Sequence, residues 1–448
     1  MVHHPSPSTV HAPPARPQPA AGDRQSLLNA RIFRRLMPLL VLSYVISFID
    51  RTNIALAKSH IEVDLGISAA AYGLGAGLFF LSYALLEVPS NLIMHRVGAR
   101  FWITRIMVTW GLLSAGMAFI TGETSFYVMR VLLGAAEAGL FPGVMLYLTY
   151  WFGREERARA IGYFLLGVCI ANILSGPVGG ALLQMDGFLG WHGWQWMFVI
   201  EGLPAVALAW VVWKKLPDGP ASAPWLTAAE SREVLQRLQA EQDQQASAGQ
   251  VGHSLRDCLR DRQIWLAILV YFCHQISIYT VIFFLPGIIG TYGQLSPLQI
   301  GTLNSVPWIA AAIGAAWLPR FATHPQRCRR MLLAGLGTMA AGLLLAALAG
   351  KASPALGLLG FSLTALMFFV VQSVVFLFPA SRLAGAGLAG GIALVNTCGL
   401  VGGFIGPTVM GMIEQATGST RNGLFIMAGL LVVAALASTR LRQGQETR

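Results

Sequence analysis

Leu36-Met-Pro-Leu-Leu-Val-Leu-Ser-Tyr44-Val-Ile-Ser-Phe-Ile-Asp50-Arg51-Thr-Asn53-Ile-Ala-Leu-Ala57 is an apolar run with an acid and a base set side by side inside it. A stretch of about 20 apolar residues matches the hydrocarbon core of a bilayer when coiled as a helix. Backbone polar groups in lipid must be satisfied internally, which makes helix the expected conformation. The same pattern recurs along the chain. Of its 448 residues 55% are hydrophobic and 11% charged, against about 25% charged in a soluble domain. The charges fall in short bursts between apolar runs. A transmembrane barrel would need alternating segments of about 10 residues, and none is evident.

About twelve helices are expected. In the first half they start near Arg35, Tyr72, Phe101, Ser125, Ala158 and Trp194, and in the second near Gln263, Pro297, Arg330, Ala355, Arg382 and Arg421. The fold class is therefore all-α integral membrane: a six-helix bundle over 31–216, a linker over 217–262 and a second bundle over 263–441. Residues 1–30 hold many Pro and Ala but no apolar signal-peptide core, and are expected to form a disordered tail, with a short second tail over 442–448. In the linker, Thr227 and Glu230 have the spacing of a capping box for a surface helix, with Val234, Leu235 and Leu238 on one side.

Positive charge is one-sided. Arg31, Arg34, Arg35, Arg96, Arg100, Arg154, Arg157, Arg159, Lys214, Lys215, Arg256, Arg260, Arg262, Arg320, Arg327, Arg329, Arg330, Arg382, Arg440 and Arg442 fall in loops on one side. Little beyond Lys58, Lys351 and Arg421 faces the other. The Lys/Arg-rich side of a membrane protein is cytoplasmic, which puts both termini and the linker there. This accounts for the net charge of +11 without a nucleic-acid partner. The five cysteines are scattered, with no C-x-x-C pair, so neither a metal site nor a disulfide framework is indicated, and no cofactor motif is present.

The halves echo one another. Gly176-Pro177 recurs as Gly406-Pro407 and Arg100 as Arg330, both at an offset of 230 residues. A duplicated bundle is the arrangement of carriers that rock two halves about a central site. Runs of small residues, such as Gly73-Leu-Gly-Ala-Gly77 and Gly399 through Gly406, let helices approach closely; ordinary tight packing uses glycine in the same way.

Several motifs carry a family resemblance: Asp50-Arg51-Thr-Asn53, Glu87-Val-Pro-Ser-Asn91 and Arg96-Val-Gly98-Ala-Arg100-Phe-Trp102. The densest is Arg130-Val-Leu-Leu-Gly134-Ala-Ala-Glu137-Ala-Gly139-Leu-Phe-Pro142, running on to Trp151-Phe152. Gly193-Trp-Gln-Trp196, Phe284-Leu-Pro286 and Gly402-Gly-Phe-Ile-Gly-Pro407 follow. With these the chain resembles major facilitator superfamily transporters of the anion:cation symporter family, bacterial carriers of tartrate, hydroxyphenylacetate and phthalate among them. The resemblance implies the twelve-helix major facilitator fold, a monomer in the bacterial inner membrane, and uptake of a small organic acid coupled to protons. It also assigns Arg96, Gly98 and Arg100 to the gating loop between the second and third helices. The acid that usually stands five residues before the closing arginine is replaced by His95, so gating by that carboxylate does not carry over.

Ionisable groups inside a bilayer cost several kcal/mol unless they face a cavity or a partner. At a rise of about 1.5 Å per residue, Arg130 and the Asp50-Arg51 pair both lie roughly 20 Å above the cytoplasmic surface. Glu137 is on the Arg130 face by its i, i+7 spacing, with Gly134 between them. Convergence of the two acids and two bases is expected. A guanidinium holds a carboxylate through a bidentate fork, and a partly buried carboxyl can exchange a proton near neutral pH. The substrate carboxylate is assigned to Arg51 and Arg130, the proton to Asp50 and Glu137. A structural charge network tying the first and fourth helices fits the same placement. Glu87 is expected to pair with loop arginines and Glu201 to serve packing. Tyr44, Tyr83, His274, Gln275, Tyr279 and Asn396 are candidate contacts for substrate hydroxyls or an aromatic ring. Two readings compete with symport, anion exchange without protons and a ligand sensor that moves nothing. No enzyme motif (G-x-S-x-G, Walker loop or H-E-x-x-H) is found.

Overall fold

The computed structural model describes residues 21–247, 255–322, 324–383 and 385–442. The first half contains α1 (Ala21–Leu65), α2 (Ala69–Val97), α3 (Ala99–Gly116), α4 (Glu123–Glu137), α5 (Leu140–Thr149), α6 (Arg154–Leu183) and α7 (Gly193–Lys215). The linker carries α8 (Ala228–Ser247) and α9 (Leu255–Arg260). The second half contains α10 (Arg262–Gly290), α11 (Pro297–Trp317), α12 (Pro325–Ala349), α13 (Pro354–Arg382), α14 (Gly385–Thr417) and α15 (Arg421–Ser438).

Counting α4 and α5 as one interrupted span gives twelve membrane helices. Among the described residues, eleven spans are long and apolar enough to cross a bilayer. The twelfth, α11, carries Gln299, Asn304 and Ser305, and it packs between α6 and α13.

The chain departs from the sequence expectation at its start. Residues 1–20 and 443–448 of the expected tails lie outside the described residues. From Ala21, however, α1 is already helical rather than disordered. Its first turns are held by packing: Leu28 is buried, and Asn29 donates to Glu156 (2.7 Å) and accepts from Arg237 (3.0 Å). The expected capping box forms. Thr227 N–H donates to Glu230 Oε2 (2.9 Å) and Glu230 N–H to Thr227 Oγ1 (3.3 Å). Arg31 also pairs with Glu230, tying the linker helix to α1. The Thr227 amide foremost, with Arg31 adding to it, holds the Glu230 carboxyl below its usual range.

The fourth span breaks. Gly139 has φ +96, and Ala138 ends α4. Glycine takes that left-handed conformation without a Cβ penalty. The interruption frees the Ala138 carbonyl, which accepts from Ser90 Oγ (2.7 Å), and Ser90 Oγ in turn accepts from Trp102 Nε1 (2.9 Å). Irregular backbone at membrane depth survives only when protein satisfies it.

The two halves meet through bare backbone. A Cβ added at Gly176 would lie 2.1 Å from the Gly301 carbonyl oxygen, and one at Gly301 only 1.9 Å from that of Gly176. A Cβ at Gly73 would fall 2.3 Å from Pro407 O, and one at Gly411 2.3 Å from Ala69 O. The α2–α14 and α6–α11 contacts are counterparts under the duplication. Both gather at the end of the molecule opposite the basic loops. There Lys58, 6% exposed, bridges Glu62 and Glu414 at 2.9 Å each, and Tyr72 Oη donates to Phe283 O (3.1 Å).

Valine at Gly176 or Gly301 is incompatible with this closed end. In a background lacking the native cysteines, a Ser305→Cys reporter is expected to react faster with an impermeant thiol reagent when Gly176→Val is added, with helix content unchanged by circular dichroism. Equal labelling rates would show that the glycine contact does not hold the halves together.

Candidate functional site

Adjacent residues on a helix point about 100° apart, and Asp50 and Arg51 accordingly diverge. Arg51 reaches across to α4, where its Nη2 lies 2.5 Å from Glu137 Oε1. Ser47, one turn back on the same face of α1, donates to that same oxygen. The Arg51 and Glu137 side chains are 8% and 1% exposed. Rings enclose the pair: the Arg51 guanidinium carbon lies 4.6 Å from the Phe48 centroid, 5.2 Å from Phe79 and 5.3 Å from Tyr83. Tyr44, Tyr83 and Tyr279 all lie within its electrostatic reach. Arg51 Nε has no hydrogen-bond partner among the described residues. Glu137 is the last residue of α4, directly before the break.

Asp50 turns the other way, into α3. Its carboxylate accepts from Trp110 Nε1 (2.5 Å) and Ser114 Oγ (2.9 Å). Arg130 is fully buried against α2, donating from Nε to Gly75 O (3.1 Å) and from Nη2 to Ala76 O (3.2 Å), with Phe79 4.9 Å away. Gly134 lets α4 press onto α2; a Cβ there would sit 2.2 Å from Phe79 O. The four charged groups therefore do not form one cluster. Arg51 and Glu137 pair, Asp50 sits behind α1, and Arg130 is held by main-chain carbonyls.

Glu87 differs from the sequence expectation. It is buried with no ion pair to a loop arginine among the described residues, and Arg51 is the charged group that acts on it. Lying on α2 at one turn from Tyr83, it shares the inward face instead of the loop end.

In the second half, Tyr279 packs 4.3 Å from Phe80 and beside Arg51, so it borders the pair across the bundle interface. His274 is turned inward: Nε2 meets Phe368 O (3.2 Å) and Nδ1 meets Gln275 Oε1 (3.1 Å). Gln275 is buried, and Asn396 is half-buried on α14. Tyr44 stacks on Phe164 at 4.1 Å. Sequence reasoning missed Ser47, Trp110 and Ser114. The i, i+4 spacing of Ser47 to Arg51, and of Trp110 to Ser114, was the available signal. It also missed Tyr271, whose hydroxyl accepts from Gln372 Nε2 (3.3 Å).

In the loop between α2 and α3, Arg96 is exposed and Gly98 has φ +93. Arg100 N–H donates to Asp218 Oδ1 (2.9 Å), and the Arg100 guanidinium lies 4.5 Å from the Trp213 ring. The carboxylate missing at His95 thus reaches this loop from beyond α7.

Residues 40–407 match the Major Facilitator Superfamily. The chain is 40% identical over 417 residues to a protein of Agrobacterium vitis named "Putative tartrate transporter", covering 93% of this chain and 95% of that one. It is 40% identical over 422 residues to the "Quinolone resistance transporter" of Acinetobacter baumannii, covering 92% and 95%. Among solved structures, the inward-open xylose transporter XylE from E. coli superposes with a TM-score of 0.71 at 14% identity, covering 91% of this chain and 95% of that one. At that identity the likeness concerns the fold. Two bundles of six helices, a buried charged pair in the first that Tyr279 of the second borders, and these relatives agree: the chain is a membrane transporter for a small molecule, not an enzyme, and belongs to the Major Facilitator Superfamily.

Proposed function

We propose that this transporter takes up a small organic carboxylate together with protons by alternating access, as a monomer in the bacterial inner membrane with both termini in the cytoplasm. The observation that carries the reading is the Arg51–Glu137 pair. A guanidinium keeps its charge throughout, whereas a carboxylate loses its charge on protonation. Once Glu137 takes a proton, Arg51 is left with an unpaired charge among aromatic rings and with its free Nε. A substrate carboxylate replaces the lost partner through a bidentate fork. Arg130, bonded to carbonyls and to no acid among the described residues, adds positive potential to the same bundle. Tyr44, Tyr83 and Tyr279 supply rings and hydroxyls around the guanidinium, while His274 positions Gln275, and Asn396 adds an amide on α14.

The basic loops favour the cytoplasmic assignment for the end opposite the glycine seal, so that seal closes the outer side. The tartrate-named relatives suit an anionic substrate, while the quinolone-named relative at equal identity leaves the choice to the site's chemistry. A guanidinium beside a titratable acid favours an organic anion. An exchanger that moves no protons would leave the buried Asp50 without a task.

One proton per monoanion is electroneutral, and each unit of pH gradient then supports about tenfold accumulation in reconstituted vesicles. Each further proton adds about 2.3 kcal/mol per 100 mV of potential. Accumulation indifferent to both gradients would exclude symport. Glu137→Gln or Asp50→Asn fixes the protonated form, so at least one of them is expected to lose gradient-driven uptake yet keep counterflow of labelled substrate. Full driven uptake in both variants would move the coupling acid elsewhere. Arg51→Lys keeps the charge but loses the planar fork, and substrate affinity should fall at least about tenfold, or about 1.4 kcal/mol. Unaltered affinity by calorimetry would take the substrate off Arg51.

A further inference from the structure

Glu201 on α7 is a buried acid for which the mechanism above has no role. It is 5% exposed and faces Asn53 and Asp50 of α1. Neither of its carboxylate oxygens, nor either polar atom of the Asn53 amide, has a hydrogen bond of normal geometry among the described residues. The packing that brings it there is close. Its neighbour Gly202 lies against α3, where an added Cβ would fall 2.7 Å from Ala115 N and 3.1 Å from Ser114 Cβ. Ser114 is the residue that donates to Asp50. On the α6 side Glu201 meets Gly179, where an added Cβ would sit 3.4 Å from its Oε1.

The groups facing the two carboxyls are accordingly Trp110 and Ser114 from α3, Asn53 from α1, and glycine from α6, with Glu137 acting on Asp50 from α4. Among the described residues no Lys, Arg or His forms an ion pair with either acid. Two buried acids that act on one another, with no cation paired to either, each disfavour the ionised form of the other. Asp50 and Asn53 lie three residues apart on one face of α1, and Asp50 turns to α3 where Arg51 turns to α4.

We propose that Glu201 is a further proton-binding residue of the transport cycle, its protonation coupled to that of Asp50 across the α1–α7 contact. This rests on the symport reading, in which Asp50 carries a coupled proton. The Asn53 amide, with both polar atoms free of other partners, is placed to orient the Glu201 carboxyl in either protonation state. Substrate then meets one acid, Glu137, while Glu201 binds its proton on another helix contact.

The test uses full-length protein in vesicles. Glu201→Gln removes the like charge beside Asp50 but keeps the shape. The midpoint of proton-driven uptake is expected to move toward acid by about one pH unit, with the maximal rate at acid pH retained. A rate that falls equally at every pH, or an unmoved midpoint, would overturn the proposal and leave Glu201 a packing residue. Infrared spectra give a second readout: with glutamate isotope-labelled, a protonated glutamic-acid carbonyl band at neutral pH should be present in the wild type and lost in Glu201→Gln, and a spectrum unchanged by the substitution would also overturn the assignment. Asp50→Asn is run beside them. If that variant retains full gradient-driven uptake, the coupling role of Asp50 fails and the coupling of Glu201 to it falls as well. If it uncouples while Glu201→Gln leaves the midpoint unmoved, only the role of Glu201 is lost.

Discussion

A single buried ion pair organises this molecule. Desolvating a carboxylate and a guanidinium costs several kcal/mol per ion, and their attraction offsets that only when the geometry is good. Arg51 and Glu137 meet at 2.5 Å, with Ser47 sharing the same oxygen and Phe48, Phe79 and Tyr83 around the guanidinium. Removing one partner from such a pair costs about 3–5 kcal/mol, because the other is stranded in low dielectric. That penalty is what makes the pair responsive. An event that neutralises Glu137 creates a demand for another anion at Arg51.

The local architecture serves this pair. Glu137 stands at the C-terminus of a helix that stops, and it stops because Gly139 takes a backbone conformation closed to most side chains. Ser90 covers the exposed carbonyl and is itself fixed by Trp102. Arg130, two turns back, is fastened to α2 by two carbonyls, and Gly134 brings the helices close enough for this. The segment from Arg130 to Pro142 is thus a rigid half-helix, a break and a second half-helix, with the titratable residue at the joint.

The second constraint lies between the bundles. Gly176 against Gly301, and Gly73 with Gly411 against the facing backbones, bring helices to main-chain contact at one end. Such interfaces have little to interdigitate, so they can part and re-form without rotamer changes. The Lys58 bridge to Glu414 adds a polar latch beside them. A seal of this kind at one end, with the charged pair away from it, supports the alternating access proposed above.

The sequence by itself determined the class of the molecule. Apolar runs of bilayer length, basic residues confined to one set of loops and the Thr227–Glu230 spacing are local or periodic signals, and the helices start within a few residues of where those signals place them, except at α1 and α12. It also marked Asp50, Arg51, Arg130 and Glu137, because a charge inside an apolar run is conspicuous wherever it points. Only the tertiary structure decided who pairs with whom. Depth along a helix follows from counting residues, but azimuth depends on how each helix is rotated against its neighbours. That rotation sent Asp50 to Trp110 and Ser114, left Arg130 on carbonyls, turned Glu87 inward and set Glu201 beside Asp50. Packing among helices distant in sequence fixes it, and no spacing within one helix encodes it.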